Sequence, residues 1–178
     1  MKNKIEVLDY ASHILKETKK GIIITTKSNN KVNAMTVSWG TLGIKWGKNI
    51  FIIFIRENRY TKTLLDENPE FSVNVPINAI DSNIIKICGT KSGFNTDKIK
   101  ELNLTLEEPN IISVPSIKEL PLTLECKVIY RQKQDSLQIP EDIKRKFYPQ
   151  DVDSSFCGAN KDFHTVYYGE IVDSYIIE

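Results

Sequence analysis

The chain has 178 residues, and its 24 Lys and Arg nearly balance its 23 Asp and Glu, which gives a formal net charge of +1. This length fits a single domain over residues 1–178, and the 40% of hydrophobic residues is typical of a folded globular protein rather than a disordered one. The balanced charge argues against nucleic-acid binding, which needs a basic domain or a basic stripe.

The first predicted elements are a helix and a hairpin. Apolar residues at helical spacing predict a helix over residues 8–18, and Gly21 is placed to end it. The β-branched run 22–26 predicts a strand, and residues 32–39 predict a second one. The polar cluster 28–30 between them predicts the turn of a hairpin.

The rest of the chain mixes further strands with short helices. Strands are predicted over 50–55, 71–75, 122–131 and 166–176, and helical segments over 59–67, 78–88, 96–102 and 140–147. The run 50–55 is apolar throughout, which predicts cover on both faces, and Gly169 is placed for a bulge in the last strand. Because no regular strand–helix–strand repeat exists, we expect a mainly β, closed antiparallel barrel with inserted helices.

Cysteine and histidine usage argues against several kinds of site. Cys88, Cys126 and Cys157 form no C-x-x-C pair and only His13 and His164 are present, so we expect neither a disulfide framework nor a metal site. Cys157 lies seven residues before His164, but such cysteines usually pack, so a nucleophilic pair is the weaker interpretation. The Rossmann, P-loop and nucleophile-elbow motifs are missing from the sequence.

The sequence predicts neither a secretion signal nor a membrane helix. Residues 1–20 carry charges throughout and lack the apolar stretch of a signal peptide. The longest apolar run, 50–55, is far shorter than the roughly 20 residues that a membrane helix needs. We therefore expect a cytoplasmic protein with no membrane contact.

Four segments, taken in order, resemble the flavin reductase-like FMN-binding family, and within it the flavoredoxin type. They are NAMTVSWG at 33–40, RYT at 59–61, CGTKSG at 88–93 followed by Asp97 and Lys98, and DFH at 162–164 leading into YGEI at 168–171. The resemblance spans residues 21–171. It implies a split β-barrel related to the Greek-key barrels and usually homodimeric, with FMN bound non-covalently near the dimer interface. The family's activities include flavin reduction by NAD(P)H and electron transfer between partner proteins.

The first segment offers hydroxyl groups to a flavin. Thr36 and Ser38 alternate along a predicted strand, so we expect both to face the same side, where an extended backbone could lie along the ring. By resemblance, the ring and ribityl chain are lined by Met35, Thr36, Val37, Ser38 and Trp39. Taken alone, the segment is better explained as a strand with a solvated Thr/Ser face, and the other three segments reverse that preference. Trp39 and Trp46 either stack on the cofactor or pack in the core or the dimer interface.

The second segment is predicted to bind a phosphate. Arg59 and Thr61 fall at the start of a predicted helix, where free N–H groups and the helix dipole attract anions. By resemblance, Arg56, Tyr60 and Thr61 are phosphate-side contacts. The alternative is an ordinary helix cap with a solvated arginine.

The third segment is a loop whose two glycines permit close backbone approach. By resemblance, its cofactor-binding residues are Gly89, Thr90 and Ser92, and Lys98 is a second cation near the flavin. The alternative for Lys98 is an exposed helix lysine, and Cys88 is expected to pack. Where the family pattern resembles Ser-Gly-Arg-Asp, this chain has SGFN at 92–95, so Phe94 replaces the arginine.

His164 is the candidate catalytic residue. In the wider family, a histidine in this place lies close to the flavin or the nicotinamide. A neutral or charged imidazole could bond a flavin carbonyl or orient a nicotinamide. The alternative is a histidine at a strand edge, and His13 is expected on a helix surface.

Three functions follow from these residues. The first is an FMN-dependent NAD(P)H:flavin oxidoreductase, in which hydride passes to bound FMN and electrons pass on to a flavin or a protein acceptor. The second is an electron carrier that is reduced by a partner protein and has no NAD(P)H site. The third is a binding module of the same barrel without flavin, which only the loss of the arginine at Phe94 favours. The residues do not distinguish NADH from NADPH as the reductant, and they do not identify the electron acceptor.

Overall fold

The computed structural model describes residues 1–153 and 160–178. Within these ranges the strands are β1 (Lys2–Lys4), β2 (Ile22–Ser28), β3 (Lys31–Val37), β4 (Gly40–Lys45), β5 (Lys48–Arg56), β6 (Glu70–Val75), β7 (Leu106–Glu107), β8 (Ser116–Ile117), β9 (Leu122–Lys133) and β10 (His164–Ile177). The α-helices are α1 (Ala11–Lys20), α2 (Tyr60–Glu67), α3 (Ser82–Thr90), α4 (Lys98–Glu101) and α5 (Glu141–Phe147). Short 3-10 helices occur at Val7–Tyr10 and Ser136–Gln138.

One antiparallel sheet forms the body of the molecule. Its strand order is β3-β2-β6-β9-β10-β5-β4, and β1 pairs with the end of β10. The two end strands, β3 and β4, follow each other in the chain and are joined only by Ser38 and Trp39. The sheet therefore curls until the end of β3 and the start of β4 meet at this connection, and we call the opening between β3 and β4 the seam. This arrangement confirms the predicted split β-barrel.

The core lies on both faces of the sheet. Alternate residues of β2, β5, β6, β9 and β10 fill the barrel interior, among them Ile24, Phe51 and Tyr167. On the outer face, Ile23 packs with Ile84 and neighbouring apolar residues beneath α3. Each such fully buried aliphatic side chain contributes about 1.5–3 kcal/mol to folding.

Two tight hairpins connect neighbouring strands. Asn29 and Asn30 have φ of 47° and 65° between β2 and β3, and Trp46 and Gly47 have φ of 54° and 70° between β4 and β5. Two consecutive positive φ values are typical of type I′ turns, which match the twist of the strands. The first turn was predicted. Trp46 lies at the tip of the second hairpin, where it is exposed rather than packed in the core.

Most predicted elements are confirmed within a few residues. Gly21, with φ of 121°, ends α1. The pairing of β9 with β10 shifts register between Tyr168 and Gly169, so the bulge is confirmed, and a Cβ on Gly169 would lie 2.4 Å from the Phe71 ring. The described helices include none that is both long and apolar enough to cross a membrane.

Two predictions of this kind were wrong, and one strand of the main sheet was missed. The strand predicted over 32–39 ends at Val37, and the chain bends at Ser38. The edge strand β4 was missed because Gly40 and Gly43 interrupt its pattern. The run 50–55 is not covered on both faces throughout, since Ile52 and Phe54 are partly exposed.

Candidate functional site

A cavity of about 670 Å³ opens at the seam of the barrel. It lies among the ends of β3 and β5, the start of α2, the end of α3 with the loop that follows it, and the start of β10. The lining residues are Asn33, Met35, Thr36, Val37, Ser38, Trp39, Phe54, Arg56, Asn58, Arg59, Tyr60, Thr61, Cys88, Gly89, Lys91, Ser92, Gly93, Phe94, Asn95, Thr96, Lys98, Asn160 and His164. All four segments that carry the sequence resemblance therefore contribute to one cavity.

The charge of this cavity is one-sided. Its described lining contains Arg56, Arg59, Lys91 and Lys98 but no Asp or Glu. Lys91 forms an ion pair with Glu101, which is not part of that lining. Arg56, Arg59 and Lys98 therefore supply most of the positive charge. Low-dielectric walls with one sign of charge raise the local concentration of the opposite ion. The cavity therefore favours an anionic ligand.

The β3 segment lines the cavity along its second half and through the two residues that follow it. Val37 is only 7% exposed and packs in the barrel core. The Thr36 hydroxyl donates a hydrogen bond of 2.6 Å to the Ile85 carbonyl in α3, so its proton is already used. The strand ends at Val37, so Ser38 is not part of it as predicted, but Thr36 and Ser38 both line the cavity. Ser38 and Trp39 lie exposed in the connection across the seam.

The first turn of α2 is tied to β3 by a buried hydrogen bond. Asn33 Nδ2 donates to Thr61 Oγ1 at 2.9 Å, and the Thr61 hydroxyl lies 3.4 Å from Sδ of Met35. Thr61 is 1% exposed, so its hydroxyl orients the helix as well as lining the cavity. Arg59 is the N-cap residue, and Tyr60 begins the helix. The N–H groups of a first helical turn lack intrahelical acceptors and can bind an anion.

The guanidinium of Arg56 holds the wall of the cavity together. Nη1 donates to the carbonyls of Asn160 at 3.0 Å and Asp162 at 2.5 Å, and Nη2 donates to the carbonyl of Phe147 at 2.9 Å. The guanidinium carbon also lies 4.9 Å from the centre of the Tyr148 ring. These contacts join the end of α5 to the segment before β10. Arg56 was predicted only as a phosphate contact, whereas here its guanidinium also holds two segments of the chain together.

The glycine loop approaches β3 and α2 closely. A Cβ on Gly93 would lie 2.3 Å from Asn33 Oδ1 and 2.5 Å from Cδ1 of Tyr60, so only glycine fits there. A Cβ on Gly89 would lie 3.3 Å from that of Thr36. This tight fit brings the backbone of 89–93 to the edge of the cavity.

Residues around this loop differ in how they meet the cavity. Lys98 is only 4% exposed and lines the cavity, so the alternative of an exposed helix lysine was wrong. Ser92 lines it as well. Thr90 does not, because it is exposed and its hydroxyl donates to the Lys86 carbonyl at 2.8 Å. Cys88 is buried as expected, and burial raises the pKa of its thiol to about 11.

His164 lies at the inner end of the cavity and is 5% exposed. Its ring centre lies 5.3 Å from that of Trp39 and 6.5 Å from that of Phe54. Burial, followed by the charges of Arg56 and Arg59, lowers the pKa of His164 to about 3. Of the two states that the sequence left open, the neutral imidazole is therefore the one present at physiological pH.

A second hollow of about 430 Å³ lies beside the first. The two hollows share Ser38, Trp39 and Phe54, and Gln134 and Tyr148 line only the second. Trp39, which is 39% exposed, therefore stands between two spaces.

Some lining residues were not among the predicted site residues. Asn33 and Lys91 fall inside the recognised segments, and their polar side chains were the available signal. Phe54 and Asn160 come from sequence-distant segments that only the fold brings here. The Cys157 thiol, considered with His164 as a nucleophile, lies outside the described residues.

Comparisons with known proteins identify related sequences. The model of the flavin reductase like domain matches residues 18–178. An uncharacterized protein of Archaeoglobus fulgidus is 37% identical over 99 residues, which are 56% of this chain and 55% of that protein. The match therefore spans only about half the length of this relative.

Two solved structures share the fold. The flavoredoxin of Methanosarcina acetivorans superposes with a TM-score of 0.64 at 21% identity, covering 89% of this chain and 68% of that one. Component B of nitrilotriacetate monooxygenase from Bacillus cereus superposes with a TM-score of 0.66 at 16% identity, covering 89% and 69%. At sequence identities this low, the structural similarity establishes a shared fold and nothing further.

Proposed function

Because the chain belongs to the flavin reductase-like family, we propose that it binds FMN in the cavity at the seam and acts as an NAD(P)H-dependent oxidoreductase. The observation that carries the proposal is the one-sided charge of the cavity, which has four cationic side chains and no acidic one in its described lining. FMN brings a phosphate that needs such an environment. A volume of about 670 Å³ also falls within the range of ligand pockets.

The residues present fit FMN at both of its ends. Arg59, Lys98 and the first N–H groups of α2 would hold the phosphate, because cations and free amides converge there. The close approach of Gly93 to Asn33 leaves the loop backbone free to follow the ligand. Ser38, Trp39 and the backbone of β3 would line the ring and the ribityl chain.

Bound FMN would supply the hydride and electron chemistry, and the chain's own residues supply position and charge. Arg59 and Lys98 would offset negative charge in the cavity without moving, which favours a reduced ligand. Trp39 and Phe54 border both hollows, so a pyridine nucleotide could lie beside the first ligand. Neutral His164 would exchange no proton at physiological pH and would act through a hydrogen bond.

The test is a flavin titration followed by anaerobic reduction. We expect FMN to bind stoichiometrically and NADH or NADPH to bleach its absorption. Arg59→Met is expected to weaken FMN binding, and Arg145→Met, which removes an exposed arginine of α5, serves as the matched control. Absence of flavin binding by wild-type protein would overturn the proposal.

An electron carrier is the second candidate, and the exposure of aromatic residues around the cavity favours it. Phe94 is 58% exposed and Trp39 is 39% exposed, so a partner protein could reach the rim. The flavoredoxin of Methanosarcina acetivorans has the same fold. Tight FMN binding with no bleaching by either nucleotide, together with reduction by a redox protein, would favour the carrier.

We also propose a homodimer, which the family resemblance implies. The edge strand β4 and its hairpin expose Ile44 at 68% and Trp46 at 60%. Exposed apolar side chains next to an unsatisfied strand edge are typical of association surfaces. Light scattering after size-exclusion chromatography is expected to give twice the mass of 20.4 kDa. A monomeric mass would contradict the dimer.

A further inference from the structure

Three polar groups form a hydrogen-bonded row beside the ring of His164, and the two side chains among them line the second hollow but not the main cavity. They are the backbone N–H of His164, the side-chain amide of Gln134 and the hydroxyl of Tyr148. Gln134 directly follows β9, next to the start of β10, and its own backbone N–H donates to the His164 carbonyl at 2.9 Å. Tyr148 directly follows α5 and is 4% exposed.

The orientation of the Gln134 amide is fixed by the backbone. Its Oε1 accepts the backbone N–H of His164 at 3.1 Å. A backbone N–H can only donate, so the atom facing it must be the oxygen and not the NH₂ group. The same Oε1 lies 3.0 Å from the Tyr148 hydroxyl, which must therefore donate its proton to Gln134.

This chain of donors decides where the imidazole carries its proton. The Tyr148 oxygen lies 2.9 Å from Nδ1 of His164. A tyrosine hydroxyl has one proton, and Gln134 takes it, so the proton in this second hydrogen bond comes from Nδ1. A neutral imidazole with its proton on Nδ1 has a lone pair on Nε2.

The unprotonated Nε2 of His164 faces the main cavity. Within residues 1–153 and 160–178, Nε2 of His164 has no hydrogen-bond partner. In these ranges, the fully buried side-chain polar atoms without a partner are Thr26 Oγ1 and Thr123 Oγ1. Nε2 of His164 is not one of them, so this nitrogen is not sealed off from solvent. Since His164 lines the main cavity and its Nδ1 edge is turned to Tyr148, the Nε2 edge is left facing that cavity.

We propose that Gln134 and Tyr148 are positioning residues that hold His164 in its Nδ1–H tautomer and thereby present Nε2 to the cavity as a hydrogen-bond acceptor. Neither residue belongs to the recognised family segments. The aromatic neighbours Trp39 and Phe54 restrict the ring further, so that its orientation is set from several sides.

The tautomer determines which ligand group His164 can recognise. An unprotonated Nε2 cannot donate to a carbonyl, so the flavin carbonyl bond that the sequence allowed is excluded. The ring instead takes an N–H or O–H donor, such as an imide N–H, a carboxamide or a ribityl hydroxyl. This part rests on the proposed function, whereas the tautomer itself is a property of the chain without ligand.

The tautomer can be measured by NMR of protein that carries ¹⁵N-labelled histidine. The chain has only two histidines, and the His13→Asn variant identifies the signals of His164. In flavin-free wild-type protein at pH 7, we expect Nδ1 to resonate as a protonated ring nitrogen and Nε2 as an unprotonated one. A protonated Nε2, either in the other tautomer or in the imidazolium, would overturn the proposal.

Two variants test the positioning role. Tyr148→Phe removes the acceptor of the Nδ1 proton, and Gln134→Met frees the Tyr148 proton, so each is expected to convert His164 wholly or partly to the Nε2–H form. The matched control is Tyr130→Phe, whose hydroxyl bonds Gln132 and which should leave the tautomer unchanged. If the wild-type tautomer persists in both variants, Gln134 and Tyr148 do not set it.

The same spectra report the ligand contact. Addition of FMN, and then of NAD⁺, is expected to shift the Nε2 signal as it accepts a hydrogen bond. If flavin absorbance shows that FMN does not bind, the proposed function fails while the tautomer result stands. If FMN and NAD⁺ both bind and Nε2 does not shift, the assigned acceptor role is wrong.

Discussion

The ring of Phe94 lies 4.8 Å from the ring of Tyr60, tilted by 58°, at the rim of the cavity. Phe94 stands where the family pattern has an arginine, and it remains 58% exposed. The pair gives an otherwise cationic cavity an apolar rim. A planar ligand group could pack against such a pair.

Removing this ring is expected to weaken FMN binding. Loss of an aromatic contact costs about 0.5–1.5 kcal/mol, so Phe94→Ala should raise the Kd for FMN about 2- to 10-fold. Fluorescence titration measures the change, and Leu137→Ala, at a side chain 86% exposed on the 3-10 helix after β9, is the control. An unchanged Kd would place the ligand away from Phe94. Phe94→Arg restores the family residue and tests whether this position prefers charge.

Adding one methyl group to the glycine loop is expected to disturb the site. In Gly93→Ala the new Cβ would overlap Asn33 and Tyr60, which costs about 1–3 kcal/mol and displaces the loop. The matched control is Gly43→Ala in β4, where a Cβ meets nothing within 4 Å. Urea unfolding and FMN titration should both change for the first variant only. Equal behaviour of the two variants would contradict the close approach.

Arg56 is expected to matter more for stability than for ligand charge. Arg56→Met leaves three carbonyls without their buried donor and should lower the free energy of unfolding by about 2–4 kcal/mol. Arg145→Met, at an exposed site, should change it by less than about 0.5 kcal/mol. Thermal denaturation measures both. A fully stable Arg56→Met protein would show that the segment before β10 needs no such support.

His164 is expected to make the protein less stable in acid. The pKa of His164 falls from 6.5 to about 3 on folding, so between these values the unfolded chain binds the extra proton. The unfolding free energy should therefore fall as pH is lowered through this window, by up to about 1.4 kcal/mol per pH unit, and the group contributes no pH dependence above it. Urea unfolding of wild type and His164→Gln from pH 7 to 4 isolates the effect as their difference. A constant difference would contradict the low pKa.

Much of the barrel could be predicted from local patterns. The β-branched run of β2, the Asn29–Asn30 turn and the glycine at the β10 bulge each act through their own backbone preferences. β4 was missed because pairing with β5, rather than its own composition, keeps Gly40 and Gly43 in a strand.

The candidate site was predictable only as a set of segments. Which atoms are free in it depends on contacts between distant residues. Thr36 gives its proton to α3, and Arg56 gives its donors to three carbonyls far along the chain. The same holds for Gln134 and Tyr148, whose meeting with His164 requires the pairing of β9 with β10 and the return of α5.

The seam has a consequence for local motion. In the described part of the chain, β3 and β4 each pair with a strand on one side only, so their outer amides are open to hydrogen exchange. Because the cavity is lined by β3 and by the connection Ser38–Trp39, a bound ligand would contact one side of the seam. Occupancy should therefore slow amide exchange at the end of β3 and in the connection that follows it more than along β4, so the ligand would stiffen one side of the opening in the barrel.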